Sequence, residues 1–101
     1  MKRIICVLKP FRLEAVLSAL DGLELEHLEF GECRGYGRQK GQSETHAGRE
    51  YAISFLPKVR VEILAEDEVV EPIVARISEA ASTGRIGDGK IFIAPVDGVV
   101  D

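Results

Sequence analysis

The chain has 101 residues, a length that suits one compact domain. Hydrophobic residues make up 46%, enough for a packed core, and charged residues 30% with both signs interspersed, which excludes an intrinsically disordered chain. A net charge of -4 argues against nucleic-acid binding, and no apolar run approaches the ~18 residues that a membrane span needs.

Met1-Lys2-Arg3 starts like the basic end of a signal peptide. The apolar stretch that follows stops at Lys9-Pro10, short of the ~7 residues of a signal core, so no secretory leader is expected. That stretch, Ile4-Ile5-Cys6-Val7-Leu8, is rich in β-branched residues and predicts a buried strand. Residues 11–20 follow with Leu13, Val16, Leu17 and Leu20 at helical spacing, and Gly22 is the stop signal. Residues 25–36 read as extended, with Leu28 and Phe30 alternating against charged neighbours.

Residues 35–49 hold glycines and almost nothing apolar, and predict a long loop. Strand character returns at residues 51–56. After Pro57, Val59-Arg60-Val61-Glu62-Ile63-Leu64 alternates strictly and is the clearest strand of the chain. Asp67 is a candidate cap for a second helix that turns Val70, Ile73, Val74, Ile77 and Ala81 inward. Pro72 should make that helix start late or kink. Gly84 closes it, and Ile91-Phe92-Ile93-Ala94 is the last strand. The order β-α-β-β-α-β predicts an α+β, ferredoxin-like sandwich over residues 1–101 as one domain, with both helices on one face of the sheet. The other face, expected to carry residues such as Ile63 or Ile93, needs a cover that oligomerisation would supply.

Two segments could carry chemistry. Thr83-Gly84-Arg85-Ile86-Gly87-Asp88-Gly89-Lys90 contains G-x-x-x-x-G-K, but Ile91 stands where a phosphate-binding loop has Ser or Thr. The segment also leaves a helix and enters a strand, the reverse of that motif's setting. What survives is an anion cradle of backbone amides with Lys90 at its rim, or a plain glycine turn with a solvated lysine. The second segment, Gly35-Tyr36-Gly37-Arg38-Gln39-Lys40-Gly41, offers amides and two cations to phosphates or a carboxylate, or is a flexible basic loop. In this topology the two can lie toward the same region, which would suit an anionic ligand such as a nucleotide. Cys33, His46 and Asp88 have no spacing that supports a catalytic triad. Cys6 and Cys33 read as reduced thiols, and with His27 and His46 in different segments no metal site is expected.

At these segments the chain resembles the PII signal-transduction family, colinearly from Met1 to about Val96. Residues 83–92 fit the family's C-terminal signature, and Lys9-Pro10-Phe11, residues 35–41 and Phe55-Leu56-Pro57-Lys58-Val59 are also family-like. The resemblance implies a cytoplasmic, non-enzymatic homotrimer with ATP or ADP in each intersubunit cleft. Gly37, Arg38, Gly87, Gly89 and Lys90 would lie at the phosphates, Glu62 and Leu64 near the base, and Gln39 and Asp88 would also belong to the nucleotide site. Gln39 would touch Mg2+ and 2-oxoglutarate, with Lys40, Gly41 and Lys58 completing the effector site. Residues 37–54 would be the effector loop, docking on an ammonium-type or other membrane transporter, or on a metabolic enzyme of nitrogen assimilation.

The segment His46-Ala47-Gly48-Arg49-Glu50-Tyr51 keeps Tyr51, the position modified in some members, but departs from the family pattern around it. That departure favours an alternative, a divergent PII-like adenine-nucleotide sensor with another effector, such as bicarbonate, and a different target. Typical members also continue past Asp101 with an arginine-bearing segment, so a reduced tail or a clipped chain is expected.

Overall fold

The computed structural model describes residues 1–35, 55–82 and 89–100. Strand β1 (Lys2–Leu8) leads into a 3-10 turn (Pro10–Arg12) and helix α1 (Leu13–Ala19). Strands β2 (His27–Gly35) and β3 (Leu56–Ala65), helix α2 (Asp67–Ala81) and strand β4 (Gly89–Pro95) follow. The sheet order is β2-β3-β1-β4, and every neighbouring pair is antiparallel. This is the ferredoxin-like arrangement that the order of elements predicts.

Alternation along the central strands builds the core. Ile4, Cys6 and Leu8 of β1 and Val59, Val61, Ile63 and Ala65 of β3 are buried. The period of two sends all seven to one face. Against it pack Val16 and Leu20 from α1 and its end, and Ile73, Ile77 and Ala81 from α2. The latter three recur every four residues and form one helical stripe. Val70, expected inside, is partly buried and packs on this core, and Val74 is half-buried.

Several boundaries differ from the sequence expectation. Residues 10–12 form a 3-10 turn, because Lys9, standing before a proline, is extended with ψ 139°. Gly22 ends the first helical segment as expected, with φ +88°, a value that a residue with a Cβ rarely adopts. Pro57 lies inside β3, opposite Arg34 of β2. It is tolerated because the β1 pairing stops at Leu8–Val59, so β3 is hydrogen-bonded on one side only at that point.

Helix α2 is capped by Glu66, and Asp67 is its first helical residue, with no side-chain cap bond. Asp67 Oδ1 instead lies 3.8 Å from Lys2 Nζ. Nor does α2 start late: Pro72 is its sixth residue. Pro72 has no N–H to give the Glu68 carbonyl, and both residues are exposed near the helix start, where water can serve it.

The second face of the sheet is also reassigned. Ile63 is fully buried on the helix side, and Ile93, paired with Ile4, shares that side at the β4 edge. The apolar residues of the open face include Ile5, Val7, Leu56, Leu64, Phe92 and Ala94, which occupy the alternate positions of the same strands. Among the described residues no helix is long and apolar enough to cross a membrane.

Because Ile73 is fully buried between helix and sheet, Ile73→Ala should destabilise the fold by about 2–5 kcal/mol. Urea unfolding should show a lower midpoint for this variant, and an unchanged midpoint would place Ile73 outside the core.

Candidate functional site

The open face is a lattice whose rows run across all strands of the sheet. Directly paired residues of antiparallel strands share a side. One row is therefore Lys90, Val7, Arg60 and Gly31; the next is Phe92, Ile5, Glu62 and Glu29; the third is Ala94, Arg3, Leu64 and His27. Lys58 belongs to the same face, opposite Cys33 on β2. Every described side chain expected at the ligand, namely Lys58, Glu62, Leu64 and Lys90, thus lies on the face that the helices leave open.

Glu62 is the electrostatic centre of this lattice. Arg3 Nε donates to its Oε2 at 2.7 Å, and Arg60 Nη2 donates to its Oε1 at 3.2 Å. The Arg3 hydrogen bond holds the Glu62 carboxyl below its ordinary range, with smaller help from the charges of Arg3, Arg60 and His27. Burial opposes this only in part. The same bond pushes the Arg3 guanidinium up. Glu29 stands directly across from Glu62, a like-charge pairing that would be unfavourable alone. His27 Nε2 lies 3.1 Å from Glu29 Oε1. Glu62 is therefore ionised at neutral pH and acts only as an acceptor.

Gly89 opens β4 where it pairs with Leu8. Its φ is +156°, and a Cβ there would stand 2.5 Å from the Val7 carbonyl oxygen. Only glycine lets the chain enter the sheet this closely, and the next residue, Lys90, is thereby set opposite Val7. The contact at Gly35 is milder: a Cβ there would meet Lys58 Cγ at 3.3 Å, which a flexible lysine side chain can relieve.

Gly35, Leu56, Gly89 and Leu8 all lie at one end of the sheet, as antiparallel pairing requires. Both glycine-bearing segments are therefore flanked by strand ends on the same side of the molecule. The flanks are on opposite edges, however, with β2 and β4 separated by three interstrand spacings, ~14 Å. Gly37, Arg38, Gln39, Lys40, Gly41, Tyr51, Gly87 and Asp88, with the expected effector loop 37–54, lie outside the described residues. So do Thr83 and Gly84.

Arg3 and Arg60 were not singled out from sequence. Arg60 has the parity of Glu62 and Leu64 and could have been found that way. Arg3 depends on the β1–β3 register. The two thiols sit on opposite faces of the sheet, Cys6 in the core and Cys33 on the open face. Burial pushes the Cys6 thiol up to about 11, which leaves it protonated at neutral pH. Among the described residues no group of three His, Cys, Asp or Glu could hold a metal ion.

These features define a ferredoxin-like α+β subunit with an uncovered, charge-bearing sheet face and glycine-flanked strand ends at one pole. The family model for nitrogen regulatory protein P-II matches residues 1–101. The chain is 48% identical over 100 residues to the nitrogen regulatory protein P-II of Azospirillum brasilense, covering 99% of this chain and 89% of that one. The Rhizobium meliloti protein of the same name is 47% identical, and that of Microchaete diplosiphon 48%, with the same coverage. The chain belongs to the nitrogen regulatory protein P-II family, whose members are named as regulators and not as enzymes.

Two outcomes follow from this geometry. Arg3→Ala should raise the Glu62 titration toward the ordinary value of ~4.3, measured by NMR of the side-chain carboxyl. Because the folded-state value is lowered, the stabilisation by ionised Glu62 is fully present above ~pH 4.3 and is lost as pH falls through the folded-state value. An unchanged titration in Arg3→Ala would mean that the pair does not hold the charge. Separately, Gly89→Ala should destabilise the protein by more than ~1 kcal/mol, since its native φ is incompatible with a Cβ. Thermal unfolding with no loss for this variant would contradict the close approach to Val7.

Proposed function

We propose that this chain is a PII-type signalling subunit that binds ATP or ADP with Mg2+, and 2-oxoglutarate, and regulates a transporter or enzyme of nitrogen metabolism through residues 37–54. The observation that carries this reading is the gathering of Lys90, Glu62 and Leu64 on one open face, in a chain of the P-II family. Lys90 is the phosphate ligand, assisted by Arg38 and by the amides of Gly37, Gly87, Asp88 and Gly89. Glu62 and Leu64 face the base, where an ionised acceptor suits the exocyclic amine of adenine. Gln39 and the Mg2+ it contacts, with Lys40, Gly41 and Lys58, hold the effector carboxylates.

The wide separation of the β2 and β4 edges supports a ligand lying between neighbouring subunits, since one subunit offers the two glycine segments from opposite sides. A homotrimer also covers Ile5, Val7 and Phe92, of which Phe92 is 53% exposed in the single chain. The protein works in the cytoplasm on a protein target and does not itself insert into the membrane.

The departure at residues 46–50 supports a second reading, in which the nucleotide site is kept but the effector is another small anion such as bicarbonate. Calorimetric titration with ATP, ADP and AMP, each with Mg2+ and with 2-oxoglutarate or bicarbonate, separates the two by which anion tightens or loosens nucleotide binding.

A charge-assisted phosphate contact contributes ~1.5–3 kcal/mol. Lys90→Ala should therefore weaken ATP binding about tenfold or more. The proposal is falsified if that variant binds ATP as tightly as the parent.

A further inference from the structure

The two helices exchange arginines at their C-terminal ends. Neither has a basic residue in its own last turn. The final carbonyls of a helix lack intrahelical donors and carry its partial negative charge, so they call for an outside cation. Arg76 of α2 supplies one to the end of α1, with Nη1 donating to the carbonyls of Ala19 and Asp21, both at 3.1 Å. Arg12, at the start of α1, supplies the other: its Nη2 donates to the carbonyl of Ala80 in the last turn of α2.

The two contacts are chemically alike but differ in what lies next to them. Arg76 closes a helix that runs on to Gly22 and β2. Arg12 holds the end of α2, which leads toward Gly89 and Lys90. It sits four residues beyond Leu8, the residue that pairs with Gly89. Between them is Lys9-Pro10-Phe11, whose proline fixes one backbone angle and whose turn closes through Arg12 N–H donating to the Lys9 carbonyl at 3.0 Å. One short stretch, residues 8–12, therefore grips the chain both at Ala80 and at Gly89. Arg12 also buries its Nε, which has no hydrogen-bond partner among the described residues.

We propose that Arg12 is a positioning residue for anion binding by Lys90: with the Pro10–Arg12 turn it sets the spacing between the end of α2 and the start of β4. The ligand part rests on the nucleotide reading above; the bracing part does not.

The test uses the full chain with Arg12→Met, Arg12→Ala, Arg12→Lys and, as the matched control, Arg76→Met. Methionine keeps the buried stem and removes the donors. Lysine keeps a cation that can reach one carbonyl and removes the unpartnered Nε–H. Urea unfolding and ATP–Mg calorimetry are measured on each, with amide hydrogen exchange on the ligand-free proteins.

Arg12→Met should weaken ATP by about tenfold, the lower end of the loss seen when a group supporting a metal ligand is removed. Its exchange should quicken at residues 80–82 and at 89–90 together. Arg12→Lys should restore the parent's affinity. Arg76→Met should lose comparable stability while ATP affinity and exchange at 89–90 stay unchanged. Equal loss of ATP affinity in Arg12→Met and Arg76→Met would overturn the proposal, because the effect would then be general destabilisation. Unchanged affinity in Arg12→Met would overturn it as well. Should Arg12→Met not fold, Arg12→Ala and Arg12→Lys are read against Arg76→Met by the same criteria, and misfolding of all three Arg12 variants would show Arg12 to be purely structural. If the parent itself binds no ATP, the nucleotide reading fails and hydrogen exchange alone decides: faster exchange at both flanks supports the brace, and unchanged exchange at 89–90 overturns it.

Discussion

The structure depends on the register of β3. Its residues Val59, Val61, Ile63 and Ala65 are all 4% exposed or less against the helices. A slip by one position would send them to solvent and bring Arg60, Glu62 and Leu64 into the core. Burying several apolar side chains at ~1.5–3 kcal/mol each makes that slip prohibitive. The hydrophobic face thus dictates where the polar face points. β1 and β2 are hydrogen-bonded to either side of β3, and β4 joins through β1, so the parity of one strand is passed to the whole sheet.

The open face that results combines charge and apolar surface. Arg3, Arg60 and Glu62 form a bridge along it, flanked by Ile5, Val7, Phe92 and Ala94. In water such a bridge contributes little to stability. Covered by another subunit, it would be largely desolvated, and its mutual hydrogen bonds would then decide whether the cover fits. Glu62 is shared between this bridge and the base contact proposed for it. Subunit packing and nucleotide binding would accordingly act on the same carboxylate. A regulator that reported a ligand to a partner protein could use such sharing, since a ligand shifts a conformational balance only through differential affinity.

Much of this was legible in the sequence. The strict alternation from Val59 to Leu64, the α2 stripe and the glycine stop at position 22 each carry a local physical signal, and the fold class followed from their order. Other features were not local. Composition alone puts Ile63 and Ile93 on the second face, because apolar character does not reveal parity; pairing with Leu28 and Ile4 puts them on the helix side. Asp67 looked like a cap by residue type, but the extended backbone falls on Glu66, leaving Asp67 to its ion pair with Lys2. Pro72 suggests a late start or a kink, but α2 starts at Asp67, and the carbonyl that Pro72 cannot serve belongs to Glu68, an exposed residue that water can reach. Arg3 and Arg12 act through partners 59 and 68 residues away, which no spacing rule reaches. Of the proposed site, Lys58, Glu62, Leu64, Gly89 and Lys90 lie among the described residues, and each follows from the resemblance to the family and not from spacing.

The nucleotide proposed for this chain would sit on the open face and not on the helix face. Leu64 and Ile63 are adjacent in sequence and point to opposite faces, so their methyl groups are built-in reporters. A methyl NMR titration with ATP and Mg2+ reads both at once. The account predicts saturable shifts for Leu64, Ile5 and Val7, with Ile63, Ile73 and Ile77 unmoved. Shifts confined to Ile63, Ile73 and Ile77, or no shift at Leu64 under saturating ATP, would contradict it.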